Sequence, residues 1–378
     1  MASSADPQRR RLLQATAALP LLAMGAGPAL AAPRWPAWQV LLDSSLSNDG
    51  RMIDRSQDDQ RSTSEGQSYA LFFALVDNDQ ALFDRVLGWT QDNLAGGDMR
   101  QRLPAWLWGR DDKGGWRVLD DNPASDSDLW LAYALLEAGR LWHRPALQAI
   151  AGGMLGQVRE REVVQLPGLG PMLLPGPQGF IEGDATRVNP SYLPLPLLRR
   201  FAAADRSGPW AQLADNATTL LEQTSPHGYA PDWAAWQQGR FVVDPVNGAV
   251  GGYDAIRCYT WAGMTAPRDP LFRRQLAALS GPLQRLRSGA ALWEKVDTRS
   301  GQGQGEGNYG FRAAVLPCVL AQREQGLAKS LLASLPSPEQ QRADAPAYYS
   351  QMLALFGRGW AEGRWRFGVD GQLRPAWR

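Results

Sequence analysis

About twelve apolar-faced segments of helical length, separated by short polar breaks, constrain this chain more than any other feature of it. They run at about 38–46, 65–77, 80–94, 126–142, 145–163, 191–204 and 210–223, then at about 253–264, 271–287, 309–324, 328–335 and 345–359. Within them apolar residues recur three and four apart, as Tyr69, Phe72, Phe73 and Val76 do, which is the period of one helix face. No alternating series of buried strands is interleaved. The apolar faces therefore have each other to bury against, and an all-α architecture of paired helices follows. Such pairs close into a barrel of helix hairpins or stack into an open solenoid. There is no fixed-period repeat and no polar capping repeat of the kind a solenoid needs, so one compact toroidal domain is expected.

Strand signals are local. The run 239–243 is short and β-rich, and 365–369 followed by Asp370-Gly371 reads as a hairpin. Both are expected as minor β-hairpin decorations. The Gly/Pro-rich stretch 166–189 reads as a long ordered loop, part of a binding site or a plain connector. The N-terminus reads as an export signal over residues 1–31. Arg9, Arg10 and Arg11 precede a short apolar stretch broken by Pro20, Gly25, Gly27 and Pro28, and Ala29-Leu30-Ala31 offers a small-x-small cleavage site. Paired arginines before leucines fit twin-arginine export, and a general secretory signal fits as well. Residues 32–378 are expected to form a single domain with no membrane span, located in the periplasm or secreted. The formal charge is +1, and without the leader's net +2 it is near −1, so nothing favours a nucleic-acid partner. Cys258 and Cys318 are expected as two core thiols.

Three acids stand at helix-like starts: Glu65 in Ser64-Glu65-Gly66-Gln67, Asp126 in Asp126-Ser127-Asp128, and Asp254 in Tyr253-Asp254-Ala255. Ser64 and Gln67 have the spacing of a capping box. Acids at helix starts are commonly structural, since they complement the macrodipole and cap free amides. What raises their interest is elimination. With two histidines and two cysteines there is no His-rich or Cys-rich metal site and no His-Glu-x-x-His helix, so no metal or cofactor is expected. A Gly-x-Ser-x-Gly elbow, a Walker loop and a strand-linked Gly-x-Gly-x-x-Gly are missing too. Acid–base work would fall to carboxylates. Trp106, and with it Trp108, lies in a Pro- and Gly-marked segment shortly before Asp126, read as a loop or helix start. An aromatic surface beside carboxylates suits a sugar, with its apolar C–H faces and polar rim.

These motifs resemble glycoside hydrolase family 8, and within it the periplasmic endoglucanases encoded with bacterial cellulose synthase. The resemblance is carried by Thr63-Ser64-Glu65-Gly66-Gln67-Ser68-Tyr69, by 102–109, by Ala124-Ser125-Asp126-Ser127-Asp128, by Asn189-Pro190-Ser191-Tyr192, by Tyr253-Asp254-Ala255-Ile256-Arg257, and by Leu355-Phe356-Gly357-Arg358-Gly359-Trp360. Ser127 replaces the small Gly or Ala usual there. The resemblance implies an (α/α)6 barrel and inverting, metal-free hydrolysis of β-1,4-glucan by a monomer functionally associated with cellulose synthase machinery. It implies Glu65 as general acid, Asp254 as general base and Asp126 as the acid that orients the sugar. Tyr192 would place the water and Arg257 would support Asp254, with Asn189 and Tyr253 as further contacts. Inversion requires the acid and base to stand roughly 6.5–9.5 Å apart, leaving room for a water. Burial and Asp126 would have to outweigh the helix dipole to keep Glu65 protonated. Two alternatives stand beside this reading: a non-catalytic glucan-binding protein, and a family 8 hydrolase of chitosan, xylan or mixed-linkage glucan.

Overall fold

The computed structural model describes residues 35–343 and 347–378. Its first helices are α1 (Pro36–Ser45), α2 (Ser64–Val76), α3 (Gln80–Leu94), α4 (Ser125–Leu141) and α5 (Pro145–Arg161). They are followed by α6 (Leu195–Ala204), α7 (Trp210–Thr224), α8 (Ile256–Met264), α9 (Phe272–Ala278) and α10 (Gly281–Arg287). The last are α11 (Tyr309–Ala321), α12 (Gln325–Ala333), α13 (Pro338–Ala343) and α14 (Tyr348–Ala361). Six of them form an inner ring. α2 packs on α4, α4 on α6, α6 on α8, α8 on α11, and α11 on α14. Phe356 of α14 returns to Tyr69 and Phe73 of α2, with ring centroids 4.9 and 4.7 Å apart, and this closes the circle. The outer helices α3, α5, α7, α9, α12 and α1 each lean on one inner partner. The fold is an (α/α)6 barrel, and the closure left open by periodicity is settled by aromatic packing at its axis.

Two inner contacts explain glycines that the sequence carries inside helices. A Cβ on Gly263 of α8 would strike the backbone of Pro317 and Cys318 in α11, and one on Gly357 of α14 would strike the Ala313 carbonyl. Pro317 has no N–H to offer that carbonyl, its partner four residues back. α11 is thus flanked on both sides by helices brought to backbone contact. Proline also sets two boundaries that periodicity ran through. The segment 191–204 is a 3₁₀ turn, Pro190–Tyr192, then α6, and 271–287 divides into α9 and α10, the latter with Pro282 in its first turn.

Sheet structure exceeds expectation. The stretch 166–189 is not a loop: Val163–Leu166 pairs with Gly170–Leu173, and Ala185–Val188 joins a four-stranded sheet with Ala234–Gln237 and Arg240–Val243. Its glycines supply the turns, as at Gly168 and Gly183, both with positive φ. The hairpin at 365–375 forms as expected, Trp365–Phe367 against Leu373–Pro375. Cys258 and Cys318 are free and buried. Among the described residues no helix is long and apolar enough to cross a membrane. The export signal lies outside the described residues.

Candidate active site

Glu65 is the second residue of α2. The helix is capped by Thr63, whose Oγ1 accepts the Gly66 N–H at 3.1 Å. The capping box expected of Ser64 and Gln67 does not form, because Ser64 is already helical and Gln67 is fully buried. Gln67 instead accepts the Met52 N–H at 2.6 Å and donates to Thr90 Oγ1 at 2.9 Å. Gly66 is required here, since a Cβ would occupy the place of the Tyr348 hydroxyl. Glu65 Oε1 accepts from Tyr69 OH, one turn along, at 3.0 Å and from Arg257 Nη1 at 2.6 Å.

Asp126 lies in the first turn of α4, its side chain only 5% exposed, with Oδ1 accepting the Ser127 N–H at 2.7 Å. Asp254 does not open its helix. α8 starts at Ile256, and the preceding turn is held by Asp232, whose Oδ1 accepts the N–H groups of Gly252, Asp254 and Ala255 at 2.8, 3.0 and 2.7 Å. Relieved of capping, Asp254 directs Oδ1 to Arg257 Nη2 at 3.2 Å and receives Asn189 Nδ2 on Oδ2 at 3.2 Å.

Arg257 joins these groups. Nη1 reaches Glu65, while Nη2 reaches Asp254, Ser191 Oγ at 2.9 Å and, at 3.6 Å, Asp126 Oδ2. The guanidinium is 4% exposed, whereas the Glu65 and Asp254 side chains keep 26% and 31% open to solvent. Three carboxyls share one buried cation, so the charge is unbalanced and the least exposed acid carries the strain. Burial pushes the Asp126 pKa up to about 7, Glu65 adds to the rise, and Arg257 opposes it. Burial thus falls on Asp126, while Glu65 sits against the arginine.

Asn189 caps the 3₁₀ turn through Oδ1, which accepts from Ser191 N–H at 3.0 Å, so one side chain ties that turn to Asp254. Tyr192 follows, half-buried, with the Arg257 guanidinium 5.7 Å from its ring centroid. Tyr253 is 40% exposed and donates to Glu294 at 2.8 Å. Trp106 and Trp108 stand on a strand, Ala105–Arg110, rather than in a loop or helix start. It pairs with Ser62–Thr63, Leu107 opposite Thr63, so the register carries Trp106 beside the start of α2. Trp108 is enclosed by Trp116 stacked at 5.1 Å, Trp89 edge-on and Arg51, which assigns it to packing. Trp106 is half-buried and enters none of these ring contacts. On the other flank, Phe180 and Trp233 stack at 5.8 Å beside Tyr192. Sequence reasoning missed this platform, and it missed Asp232, Ser191 and Tyr349, whose OH donates to the Tyr253 carbonyl at 2.5 Å. Tyr69 was accessible through its i+4 spacing from Glu65; Tyr349 opens α14 with no local mark of its role, and the others sit in turns that no periodicity marks.

A closed ring of helix hairpins that gathers three carboxyls and an arginine at the starts of its inner helices, between aromatic flanks, defines a helical-barrel carbohydrate hydrolase. The chain belongs to the glycosyl hydrolases family 8, whose profile matches residues 13–363. It is 52% identical over 374 residues to an endoglucanase of Xanthomonas axonopodis pv. citri, covering 98% of this chain and 97% of that protein. Among solved structures, the endo-1,4-D-glucanase of Vibrio fischeri ES114 superposes with a TM-score of 0.85 at 39% identity, covering 91% of this chain and 99% of that one. The endo-β-1,4-glucanase CMCax of Acetobacter xylinum follows with a TM-score of 0.70 at 26% identity, covering 85% and 96%.

Proposed function

We propose that this chain is an inverting endo-β-1,4-glucanase in which Glu65 is the general acid and Asp254 the general base. The observation that carries the assignment is Arg257, which spans Glu65 and Asp254 with its two terminal nitrogens while both acids keep a solvent-facing edge. Glu65 on one side of a bound sugar would protonate the leaving oxygen. Asp254 on the other would take a proton from water as that water attacks the anomeric carbon. Asp126 is buried, feels both acids through space and, when ionised, is suited to accept a hydrogen bond from a sugar hydroxyl. Tyr192 and Asn189 bound the water's side of the site, and Trp106 and the Phe180–Trp233 stack offer apolar faces to sugar rings on either flank.

The names of the relatives support β-1,4-glucan as substrate, and the leader-like residues 1–31 support action on polymer outside the cytoplasm. Association with cellulose synthase machinery belongs to the same reading. The test is hydrolysis of carboxymethyl-cellulose, chitosan, xylan and mixed-linkage glucan side by side, with early-time proton NMR of the released ends. The α-anomer should appear first. Initial β-anomer would make Asp254 a nucleophile, and no hydrolysis of any polymer would favour the non-catalytic glucan-binding reading.

A further inference from the structure

Behind Asp126 lies a second pair of acids that the reaction does not use. Asp128 follows Asp126 in the first turn of α4, and Glu162 ends α5; both are wholly buried. Neither carboxyl has an amide, hydroxyl or cationic partner among the described residues. The two face each other within hydrogen-bond range, a contact that requires a proton on one of them. Arg161 acts on both through space from the end of α5 without forming an ion pair with either. The other elements packed on α4 offer no closer compensation. α2 brings Glu65 against Asp126, the 3₁₀ turn brings the Tyr192 phenol to Asp126, and Arg200 of α6 is engaged far along α4 by Glu137.

We propose that Asp128 and Glu162 are positioning residues that hold a shared proton and thereby anchor the turn carrying Asp126 to the end of α5. One carboxyl donates its O–H to an oxygen of the other, and no further donor is needed. Two ionised carboxylates facing each other without a cation would repel in a medium that screens poorly, so removing the last shared proton would push the start of α4 away from α5. The anchoring acts where position matters. Ser125, at the start of the same turn, donates its N–H to the Pro175 carbonyl at 2.9 Å, and the backbone carbonyl of Glu162 accepts the Leu174 N–H at 2.8 Å, so the backbone beside each acid is tied to one short segment. The pair also sets the charge beside Asp126. A neutral pair lets Asp126 ionise more readily than a singly ionised pair does, because like charges in one buried site raise each other's pKa. Burial drives Glu162 up to about 8 and Asp128 well above the usual carboxylate range, and Asp126 adds to both.

The inference rests on the placement of Asp126 in the active site, and its test separates the two. Infrared spectroscopy of the full chain at pH 7 reads protonated carboxylic acid directly, without reference to catalysis. The band should persist in Asp126→Asn, which removes that acid's own half-protonated carboxyl, and should fall by one carboxylic-acid proton when Asp128→Asn or Glu162→Gln is added to it, where an amide supplies the donor and the remaining acid ionises. Absence of the band in Asp126→Asn overturns the proposal even if the enzyme assignment stands. The pH profile of kcat/KM on a soluble β-glucan then reads the coupling. The limb governed by Asp126 should lie about one pH unit lower in the Asp128→Asn, Glu162→Gln double variant than in either single variant, a tenfold change in protonation ratio. Superimposable profiles would show that the pair does not act on Asp126. Should the double variant fail to fold, the infrared comparison, which does not use it, still decides whether the pair holds the shared proton.

Discussion

Asp254 is the residue on which the proposed chemistry turns, and its freedom comes from another acid. Because Asp232 takes the three backbone N–H groups ahead of α8, Asp254 is left with one arginine, one asparagine amide and an open edge. Asp254→Asn keeps the hydrogen-bonding size and should preserve fold and glucan binding while lowering kcat by about 10²–10⁴-fold, the usual contribution of a general base. Near-wild-type turnover by the folded variant would remove Asp254 from the mechanism. The acids themselves were legible because each stands where a polar break meets an apolar helical run. Asp232 was not, since it acts across a turn from a position with no local pattern, and Asp126's raised pKa depends on burial that only the assembled ring creates.

Helices were read with small boundary errors because their apolar faces repeat over many residues; the errors fall at Pro194, Pro282 and the turn before Ile256, and the short α13, with Gln341 as its buried residue, was missed. Strands were under-read: most are four residues or fewer, and some pair with strands distant in sequence, as Ala185–Val188 does with Ala234–Gln237. That gap had a cost at the site, because the Phe180–Trp233 platform is built on this sheet. The strand carrying Trp106 offers a direct test. Trp106→Ala should weaken cello-oligosaccharide binding with little change in melting temperature. A melting temperature that collapses while affinity per folded molecule is unchanged would make it a core residue instead. Among the inner helices, Gly357→Ala forces a methyl onto the Ala313 carbonyl and should lower stability by about 1–3 kcal/mol, the usual range for overpacking. Unchanged thermal unfolding would mean α14 and α11 can separate without loss.

For the molecule as a whole, the buried acids set how stability follows pH. Asp77, Asp126 and Glu162 have pKa values raised by burial to about 6, 7 and 8, against 3.8 for an ordinary Asp and 4.5 for Glu. The folded chain therefore holds protons that the unfolded chain releases, and stability falls as pH climbs from the ordinary values through the raised ones. Asp59 and Glu222 run the other way. Each is held below its usual range by an arginine hydrogen bond, and the stability they add is lost as pH drops through their depressed values. The melting temperature should peak at mildly acidic pH, about 5, near the low end of the usual range. A maximum above pH 8 would show that these acids are ionised in the folded state. The hairpin at 365–375 bears on a different matter, the order in which the protein acquires its structure. Trp35 lies 6.1 Å from Trp365 in ring-centroid terms, Tyr133 donates to the Gly371 carbonyl, and Glu137 in the heart of α4 accepts the Leu373 N–H. Helices made earlier by the ribosome are thus completed by a hairpin made later. A nascent chain lacking 365–375 would leave Glu137 short of a donor and the aromatic axis open, so the ring has to wait for this hairpin to become cooperative, and the unfinished helices are the stage at which a chaperone would find exposed apolar surface.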